Sequence, residues 1–412
     1  MEYPSASNPR GDAAPATGFD VVEVSYVLPC LNESATLAEC ILQASQAIAA
    51  LGVPGEIIVA DNGSSDNSKE IACSMGARVV DVPVRGYGAA VIYGCREAAG
   101  RYIVMADSDA SYNLVESVPM VNALCQGADL VMGSRLKGDI QPGAMPWKNR
   151  YIGNPALTGL LNFLFHSGLS DAHCGMRAFT QTAFEKMDLR CTGMEFASEM
   201  VVKASLLNLN RTEIPITYLP DRSGRTSHLR PWRDGWRHLR FLLLYSPRWV
   251  FLIPGLIFLI FGLSLNTFLA LTPETTPLTL GRFFFSTHWT VPATLAATLG
   301  LQALYLGMIT VKYSLQQGLY PSAGWFSRIS NQVSLEFILV IGLLCSLLGL
   351  ALEGKIFIQW IESGFGALAK IRLAMYGLMW ILLGLESIFN SFVLGLLTQA
   401  VETLPDREYG MR

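Results

Sequence analysis

The sequence has little charge. Of its 412 residues, 15% are Asp, Glu, Lys or Arg, against about 25% in an ordinary soluble domain. Residues 241–412 hold 17 of the 63 charged side chains, and 249–273 and 283–311 hold none. A helix needs about 20 apolar residues to cross a bilayer, so this pattern excludes a wholly soluble protein. It also excludes a bare membrane bundle, because the first 240 residues suffice for a full-sized soluble domain.

Three other features are missing. There is no basic excess, since the formal net charge is -3, and we therefore expect no nucleic-acid partner. The eight cysteines include no C-x-x-C pair, and reduced thiols facing the cytosol are the simplest interpretation. Residues 1–20 lack the apolar stretch of a signal peptide and contain prolines and small residues, which predicts a disordered tail.

Short apolar runs alternate with helical stretches in the predicted domain at 21–220. The predicted strands are 21–28, 56–60, 79–82, 102–106 and 128–132. A helix is predicted over 34–51, with Asn32 or Ser34 as its N-cap. Strands that alternate with helices are typical of βαβ units, so the fold class is α/β with a mostly parallel, Rossmann-like sheet.

Carboxylates follow directly after the predicted strands. These are Glu33, Asp61, Asp107 and Asp109. Ligands of parallel α/β sheets bind beyond the carboxyl ends of the strands, so we expect the four side chains to converge. Asp107-Ser108-Asp109 fits Mg²⁺, which one or two carboxylates hold together with substrate phosphates. A D-x-D sequence also occurs in ordinary turns.

Two further motifs have competing interpretations. The run at 61–66, DNGSSD, is either a turn that caps a helix or a site where Asp61 accepts hydrogen bonds from the base or sugar of a ligand. In Arg85-Gly86-Tyr87-Gly88 the glycines would allow the backbone to approach a phosphate. The motif lacks the third glycine of a dinucleotide fingerprint.

A basic segment precedes the apolar region. Residues 221–240 contain six arginines interleaved with Trp232 and Trp236. The segment 221–248 is predicted to be an amphipathic helix on the membrane surface, although a solvated helix face is the alternative.

Four membrane spans are predicted within 249–401, near 249–271, 289–311, 333–352 and 373–399. With the front domain in the cytosol, an even number returns the tail at 402–412 to the cytosol. The flanking charges agree only in part with the positive-inside rule, because Arg248 lies on the cytosolic side but Arg372 would lie outside. Glu386 lies midway along the fourth span, where it is either functional or a neutral or paired group inside the bundle.

The ordered motifs resemble those of family 2 glycosyltransferases. The series consists of LPCLNE at 28–33, DNGSSD at 61–66, RGYG at 85–88 and DSD at 107–109. GSR at 133–135 and RSGRTSH at 222–228 are similar to the branch that glycosylates polyprenyl phosphates, such as dolichyl-phosphate mannose synthases. The resemblance covers about residues 22–240.

This resemblance implies a GT-A fold, a nucleotide-sugar donor of the UDP-glucose or GDP-mannose type, inversion at the anomeric carbon and Mg²⁺ or Mn²⁺ as cofactor. It also assigns roles, with His228 standing where the branch commonly has Lys. The donor would be held by Pro29, Leu31, Glu33, Val59, Asp61 and Ser108, the cation by Asp107 and Asp109, and phosphates by Arg135, Arg222 and His228, with Asp107, Asp109 and Arg135 as the catalytic set.

Other residues keep two interpretations each. Asp171 and Arg177 would shape the acceptor-phosphate site or form a structural ion pair. Glu195 and Glu199, four residues apart on one helix face, would face the cleft or cap and solvate the helix.

The expected function is hexose transfer to a polyprenyl phosphate at the cytosolic face of a bacterial plasma membrane. A phosphate monoester has a second pKa of about 6, so the acceptor is largely dianionic at neutral pH and needs less help from a general base than a sugar hydroxyl does. We therefore expect positioning and electrostatics, rather than a dedicated base, to accelerate the transfer. The expected partners are the donor, the acceptor and the bilayer, with homo-oligomerisation left open. One alternative is a processive polysaccharide synthase, whose Q-x-x-R-W signature has only YSPRW at 245–249 as a counterpart. The other is a non-catalytic membrane module that assists the flipping of lipid-linked sugars.

Overall fold

The computed structural model describes residues 22–220, 231–274, 276, 278–280, 283–316, 334–366 and 368–402. The predicted N-terminal tail, Arg222, His228 and nearly all of the predicted C-terminal tail lie outside these ranges. Contacts within the chain define two units. The first contains residues 1–162 and 167–235, and the second contains 163–166 and 236–412.

A seven-stranded sheet forms the centre of the first unit, with the strand order β3-β2-β1-β4-β6-β5-β7. Only β6 among these strands is antiparallel to its neighbours β4 and β5. This confirms the predicted α/β class with a mostly parallel sheet. The strands are β1 Val24–Cys30, β2 Gly55–Asp61, β3 Arg78–Asp81, β4 Tyr102–Met105, β5 Leu130–Ile140, β6 Arg177–Thr180 and β7 Arg211–Tyr218.

Two of the seven strands have no clear signal in the sequence. The strand β6 has only four residues and begins with a buried arginine. The strand β7 lies at the edge of the sheet and contains Pro215, which is tolerated there because an edge strand can spare one backbone donor. Both depart from the apolar runs that mark β1, β2 and β4.

Eight helices accompany the sheet in the described part of residues 22–244. The first, α1, begins three residues later than predicted, and its N-cap is Thr36 rather than Asn32 or Ser34. The Asn32 side chain instead accepts a hydrogen bond from the Ser65 N–H at 2.7 Å. The helices are α1 Leu37–Leu51, α2 Ser68–Ser74, α3 Tyr87–Glu97, α4 Val118–Cys125, α5 Asn154–Phe165, α6 Gln181–Met187, α7 Phe196–Leu206 and α8 Pro231–Leu244.

Four helices long and apolar enough to cross a membrane follow in the described residues. They are α9 Ile253–Leu271, α10 Thr290–Gln316, α11 Leu335–Glu362 and α12 Ile371–Glu402. This confirms the predicted number of spans. The third continues ten residues beyond its predicted end at 352.

Glycines let these helices pack in two close pairs. A Cβ at Gly262 would collide with backbone atoms of Ala293 and Ala297, and one at Gly300 with the backbone of Leu259, so α9 and α10 approach closely. A Cβ at Gly349 would likewise meet the backbone of α12. Close backbone approach through small residues is how membrane helices gain packing energy without a hydrophobic driving force.

Two charged residues of α12 have different environments. Arg372 is buried and donates hydrogen bonds to Thr272, Pro273, Thr276 and Thr287. These hydrogen bonds join the start of α12 to the segment that follows α9 and to the one that precedes α10.

Glu386, in the middle of α12, has a buried Oε2 with no hydrogen-bond partner among the described residues. Its backbone oxygen accepts from the Asn390 side chain, which also donates to Gln302 at 3.2 Å. Both interpretations of Glu386, a functional group or a neutral or paired group inside the bundle, therefore stay predictions.

Gly300→Ala is expected to destabilise the second unit by about 1–3 kcal/mol, because the added methyl group overpacks the α9–α10 contact. Gly354→Ala on α11 is the matched control, since its Cβ would meet no atom within 4 Å. Thermal unfolding in detergent measures both variants. Equal midpoints for the two variants would contradict this account of the helix pair.

Candidate active site

The carboxyl ends of the parallel strands bring the predicted carboxylates to one edge of the sheet. Cys30, at the end of β1, is in register with Asp61 at the end of β2. Met105, at the end of β4, is in register with Val27 of β1 and with Arg177, where β6 begins. The segments that carry Glu33, Asp61 and the D-x-D motif therefore start side by side.

Asp107 is held on both of its carboxylate oxygens. The Tyr87 hydroxyl donates to Oδ1 at 2.8 Å. Gly175 packs so closely against Oδ2 that a Cβ at this position would collide with it. The Gly175 N–H in turn donates to the Tyr112 hydroxyl at 3.0 Å. The carboxylate is thus confined by two separate segments of the first unit, at Tyr87 and at Gly175.

Burial, and then the neighbouring Asp109 charge, raise the pKa of Asp107 to about 6. The Tyr87 hydrogen bond and the charges of Arg135 and Arg177 oppose this increase. A carboxylate whose proton affinity is raised by a second carboxylate belongs to a donor set that suits a hard divalent cation.

The D-x-D motif would offer a cation two carboxylates, those of Asp107 and Asp109. No group of three or more His, Cys, Asp or Glu side chains close enough to hold a metal ion occurs in the described ranges. A cation at Asp107 and Asp109 would therefore need further oxygen ligands from a substrate or from water. This matches the preference of Mg²⁺ for one or two carboxylates with phosphate oxygens.

Ser108 ties the motif to the first strand. Its hydroxyl donates to the Pro29 carbonyl at 2.8 Å, and its own carbonyl accepts from the Thr36 hydroxyl at 2.7 Å. The structure places Ser108 and Pro29 next to each other, and the hydrogen bond between them supports the loop. A contact of either residue with a donor stays a prediction.

Asp61 is 1% exposed and serves as a turn anchor. Its carboxylate accepts from the backbone N–H of Gly63 at 3.0 Å and of Ser64 at 3.1 Å, and Lys69 lies 3.3 Å away. Burial would raise the Asp61 pKa, but the hydrogen bonds from Ser64, Gly63 and Lys69 outweigh it and lower the pKa. Asp61 therefore forms the expected turn, whereas the N-cap of α2 is Asn67. A contact of Asp61 with a base stays a prediction.

The other residues assigned to the donor differ in accessibility. Val59 lies in the hydrophobic core at 1% exposure, so only its backbone could meet a nucleotide. Glu33 is buried, and its backbone N–H donates to Ser68 at 3.0 Å. Leu31 is half-buried just beyond β1.

Arg135 and Asp171 form a buried bidentate ion pair. Arg135 Nε and Nη2 donate to the two Asp171 oxygens at 2.7 and 2.8 Å, and the Arg135 backbone N–H adds a bond at 3.1 Å. The guanidinium also lies 5.2 Å from the centre of the Tyr218 ring. Burial alone would raise the Asp171 pKa, but Arg135 lowers it below its ordinary value. The partner of Asp171 is therefore Arg135, which corrects the alternative in which Asp171 pairs with Arg177.

Arg177 directs its guanidinium at the protein backbone. It is 1% exposed and donates to the carbonyls of Cys174 at 2.9 Å, Ala197 at 2.9 Å and Ala172 at 3.2 Å. These bonds join the loop before β6 to the start of α7. This geometry favours a structural role over direct contact with an acceptor phosphate.

The glycines of the RGYG motif serve packing rather than phosphate contact. A Cβ at Gly86 would collide with the Thr192 carbonyl oxygen, and one at Gly88 with the Cys191 carbonyl oxygen. The Ala89 N–H also donates to the Thr192 carbonyl at 3.1 Å. The interpretation of these glycines as a phosphate loop is therefore corrected, because protein backbone fills the space that they leave.

The two glutamates near α7 have different roles. Glu199 is fully buried, accepts from the backbone N–H of Cys191 at 2.7 Å and pairs with Lys203 at 3.0 Å, so it supports the loop before the helix. Glu195 is half-buried, and its buried Oε2 has no hydrogen-bond partner in the described chain. Glu195 therefore stays the candidate of the two for a ligand contact.

The end of β7 lies against the loop that follows the D-x-D motif. Tyr218 bridges to Tyr112, and the Leu219 N–H donates to the Ser111 carbonyl at 2.9 Å. The first described range ends at Pro220. The next residues, 221–230, include Arg222 and His228 and lie outside the described residues.

Sequence reasoning missed several residues that shape this site. Tyr87 holds Asp107, Tyr218 lies beside Arg135, and Asn62 joins two loops by accepting from the Gly86 N–H at 2.8 Å and donating to the Val84 carbonyl at 2.8 Å. The only sequence signal for Tyr87 is the RGYG motif, in which the glycines carry the prediction. Tyr218 lies on a strand that was not predicted.

Comparison with known families gives two matches along the chain. Residues 25–188 match the family described as "Glycosyl transferase family 2", and residues 308–398 match "Glycosyltransferase family 2 C-terminal transmembrane region". The first region covers the chain from β1 to the end of α6, and the second covers the last part of α10, all of α11 and most of α12.

Curated relatives include proteins of Haloferax volcanii. The "Low-salt glycan biosynthesis hexosyltransferase Agl6" is 38% identical over 90% of this chain and 88% of that protein. The "Dolichyl-phosphate hexose transferase" is 31% identical over 43% of this chain and 75% of that protein. Among solved structures, glucosyl-3-phosphoglycerate synthase from Mycobacterium tuberculosis has a TM-score of 0.43 at 23% identity, covering 55% of this chain and 80% of that one.

Asp171→Asn is expected to lower the free energy of unfolding by about 3 kcal/mol at pH 7, because it leaves a buried arginine without its counter-charge. The Asp171 pKa is lowered by folding, so its stabilising effect is present above the unfolded value of about 4 and is lost as the pH falls through the folded value. Urea unfolding in detergent, followed by circular dichroism at pH 7 and at lower pH, measures this difference.

Asp188→Asn is the matched control, because its ion pair with Arg190 at 2.7 Å is exposed and such pairs contribute about 0–1 kcal/mol. Equal losses in the two variants would contradict the account of the buried pair.

Proposed function

Because the chain belongs to glycosyl transferase family 2, we propose that it transfers a hexose from a nucleotide-sugar to a polyprenyl phosphate at a membrane surface. The observation that carries the proposal is the placement of Asp107, Asp109 and Arg135 around one edge of the sheet. Carboxylates for a cation and a guanidinium for a phosphate are thereby available at the same site. The cytosolic face is the proposed side, because the cysteines of the first unit are free thiols, as is usual in a reducing compartment.

Asp107 and Asp109 would hold Mg²⁺ or Mn²⁺ in this reaction. The bound cation would neutralise charge that develops on the departing nucleoside diphosphate. The protein contributes the orientation of the Asp107 carboxylate through Tyr87 and Gly175. Ser108 holds the motif against β1 through Pro29, so the backbone between the two carboxylates is anchored to the sheet.

Arg135 would attract a phosphate through a guanidinium that is already oriented. Two of its five N–H donors bind Asp171, and the ring of Tyr218 lies beside it. Arginine recognises phosphate through a rigid fork of donors. Preorganisation of this kind stabilises charge without a reorganisation cost during the reaction.

A lipid acceptor is supported by three features. Four helices of the chain are long and apolar enough to span a membrane. The helix α8 exposes Trp236, Arg240 and Leu244, four residues apart, along one face, as an interfacial helix does. A relative is named as a dolichyl-phosphate hexose transferase, and another is named as acting in glycan biosynthesis.

Asp109→Ala is expected to abolish sugar transfer while the protein still accumulates in membranes, because one of the two cation ligands is lost. Asp139→Ala is the control, since Asp139 is an exposed aspartate on β5. Membranes that carry each variant are incubated with a panel of radiolabelled UDP- and GDP-sugars and a short polyprenyl phosphate. Full activity of Asp109→Ala with the cation present would refute the assignment.

The labelled product also separates the proposed reaction from polymer synthesis. A polyprenyl phosphate sugar is extracted into organic solvent and is labile to mild acid. A processive synthase would instead give long polymer that stays in the aqueous phase. Absence of nucleotide-sugar binding to the folded protein, measured by calorimetry, would favour the non-catalytic membrane module.

Glu195→Gln is expected to keep the transfer rate within about tenfold of the wild type. A phosphate acceptor is largely dianionic at neutral pH, since its second pKa is about 6, whereas loss of a required general base costs about 10²–10⁴-fold. The rate at saturating substrates, measured from pH 6 to pH 8, provides the test. A hundredfold loss would show that this carboxylate takes part in the chemistry.

A further inference from the structure

The RGYG motif places a tyrosine beside the D-x-D motif. Tyr87 is the first residue of α3, and its hydroxyl donates to Asp107 Oδ1 at 2.8 Å. The two residues are 20 positions apart along the chain, so the bond joins the start of α3 to the end of β4. This bond gives the motif a structural task that its glycines alone do not explain.

The backbone on both sides of Tyr87 is fixed by close packing. Gly86 and Gly88 leave no room for a Cβ against the carbonyls of Thr192 and Cys191. The Gly86 N–H is also held by the Asn62 side chain at 2.8 Å. These contacts lock the start of α3 onto the loop before α7, and only glycine at 86 and 88 permits this approach.

The ring of Tyr87 is supported as well. It lies edge-on against Phe196, with ring centroids 6.3 Å apart and an interplanar angle of 72°. Phe196 is buried at the start of α7. Packing therefore holds both the ring and the backbone of Tyr87 in place. Because little freedom is left to lose, the hydrogen bond of its hydroxyl costs little conformational entropy.

We infer that Tyr87 is a positioning residue that orients the Asp107 carboxylate for the divalent cation. The inference rests on the proposed function, since it assumes that Asp107 and Asp109 bind a cation. Groups that hydrogen-bond to a ligand side chain fix its orientation, and their removal typically costs about 10–100-fold in metal affinity. Tyr87 acts through Asp107, whereas Gly175 confines the other oxygen by contact alone.

Mn²⁺ binding to the full-length protein in detergent tests the inference without requiring a substrate. Free Mn²⁺ is followed by electron paramagnetic resonance, with Mn²⁺ alone and then with UDP or GDP added. Tyr87→Phe keeps the ring and removes only the hydroxyl, so we expect the protein to stay folded and to bind Mn²⁺ about tenfold more weakly. Sugar transfer should recover at high Mn²⁺ concentration, because the substitution raises the Mn²⁺ concentration needed for half-maximal activity more than it lowers the maximal rate.

Tyr93→Phe is the matched control. Tyr93 lies on the same helix and packs against the small cluster formed by Ala60, Val82, Ala89 and Ala90, so its variant should bind Mn²⁺ within about twofold of the wild type. Asp109→Ala serves as the reference for loss of the cation site.

Wild-type Mn²⁺ affinity in Tyr87→Phe would overturn the inference, whether or not activity falls. Equal losses in Tyr87→Phe and Tyr93→Phe would also overturn it, since both would then report a general effect on α3. If Asp109→Ala binds Mn²⁺ as the wild type does, the cation site of the proposed function is refuted, and this inference with it. These results differ, so a failure of the positioning role is distinguishable from a failure of the proposed function.

Discussion

Two like charges, one residue apart at the end of a buried strand, are the constraint on which the site depends. Asp107 and Asp109 repel each other, and the raised pKa of Asp107 records that repulsion together with its burial. The protein counters it with a hydroxyl donor from Tyr87 and with the fields of Arg135 and Arg177. A divalent cation would compensate this repulsion more completely, because it would neutralise both carboxylates at once.

The segments that counter this repulsion are themselves connected. Arg177 ties the loop before β6 to the start of α7 through backbone carbonyls, and Phe196 in that helix supports the Tyr87 ring. Asp171 lies in the same loop before β6 and fixes Arg135. The buried arginines thus have two tasks. Arg177 fixes the backbone of that loop, and Arg135 is held in place by its bidentate ion pair with Asp171.

Glycines allow close backbone packing in both units, but different interactions hold the packed elements together. In the first unit, glycines of the RGYG motif bring α3 against a loop that polar contacts already fix. In the second, Gly262, Gly300 and Gly349 bring apolar helices together, where lipid offers no hydrophobic drive for association. A side chain at any of these positions would separate elements that the fold needs in contact.

Prediction from the sequence succeeded where local chemistry decides the outcome. Long apolar stretches specify membrane-crossing helices whatever surrounds them, and strongly apolar runs specified β1, β2 and β4. The strand ends brought Glu33, Asp61 and Asp107 to one edge, because parallel strands align their carboxyl ends. The strands β6 and β7 escaped prediction, since a four-residue strand and an edge strand with Pro215 are stabilised by their neighbours rather than by their own pattern.

The sequence by itself determined the α/β domain, the four apolar helices and the identity of the acidic residues at the strand ends. Only the tertiary structure decided which polar groups meet. Asp171 binds Arg135 rather than Arg177, the hydroxyl of the N-cap Thr36 donates to the Ser108 carbonyl, and Tyr87 reaches Asp107. Each of these choices joins residues far apart in the chain. Local propensity contains no information about such contacts, because their free energy depends on burial and on partners that only the folded chain supplies.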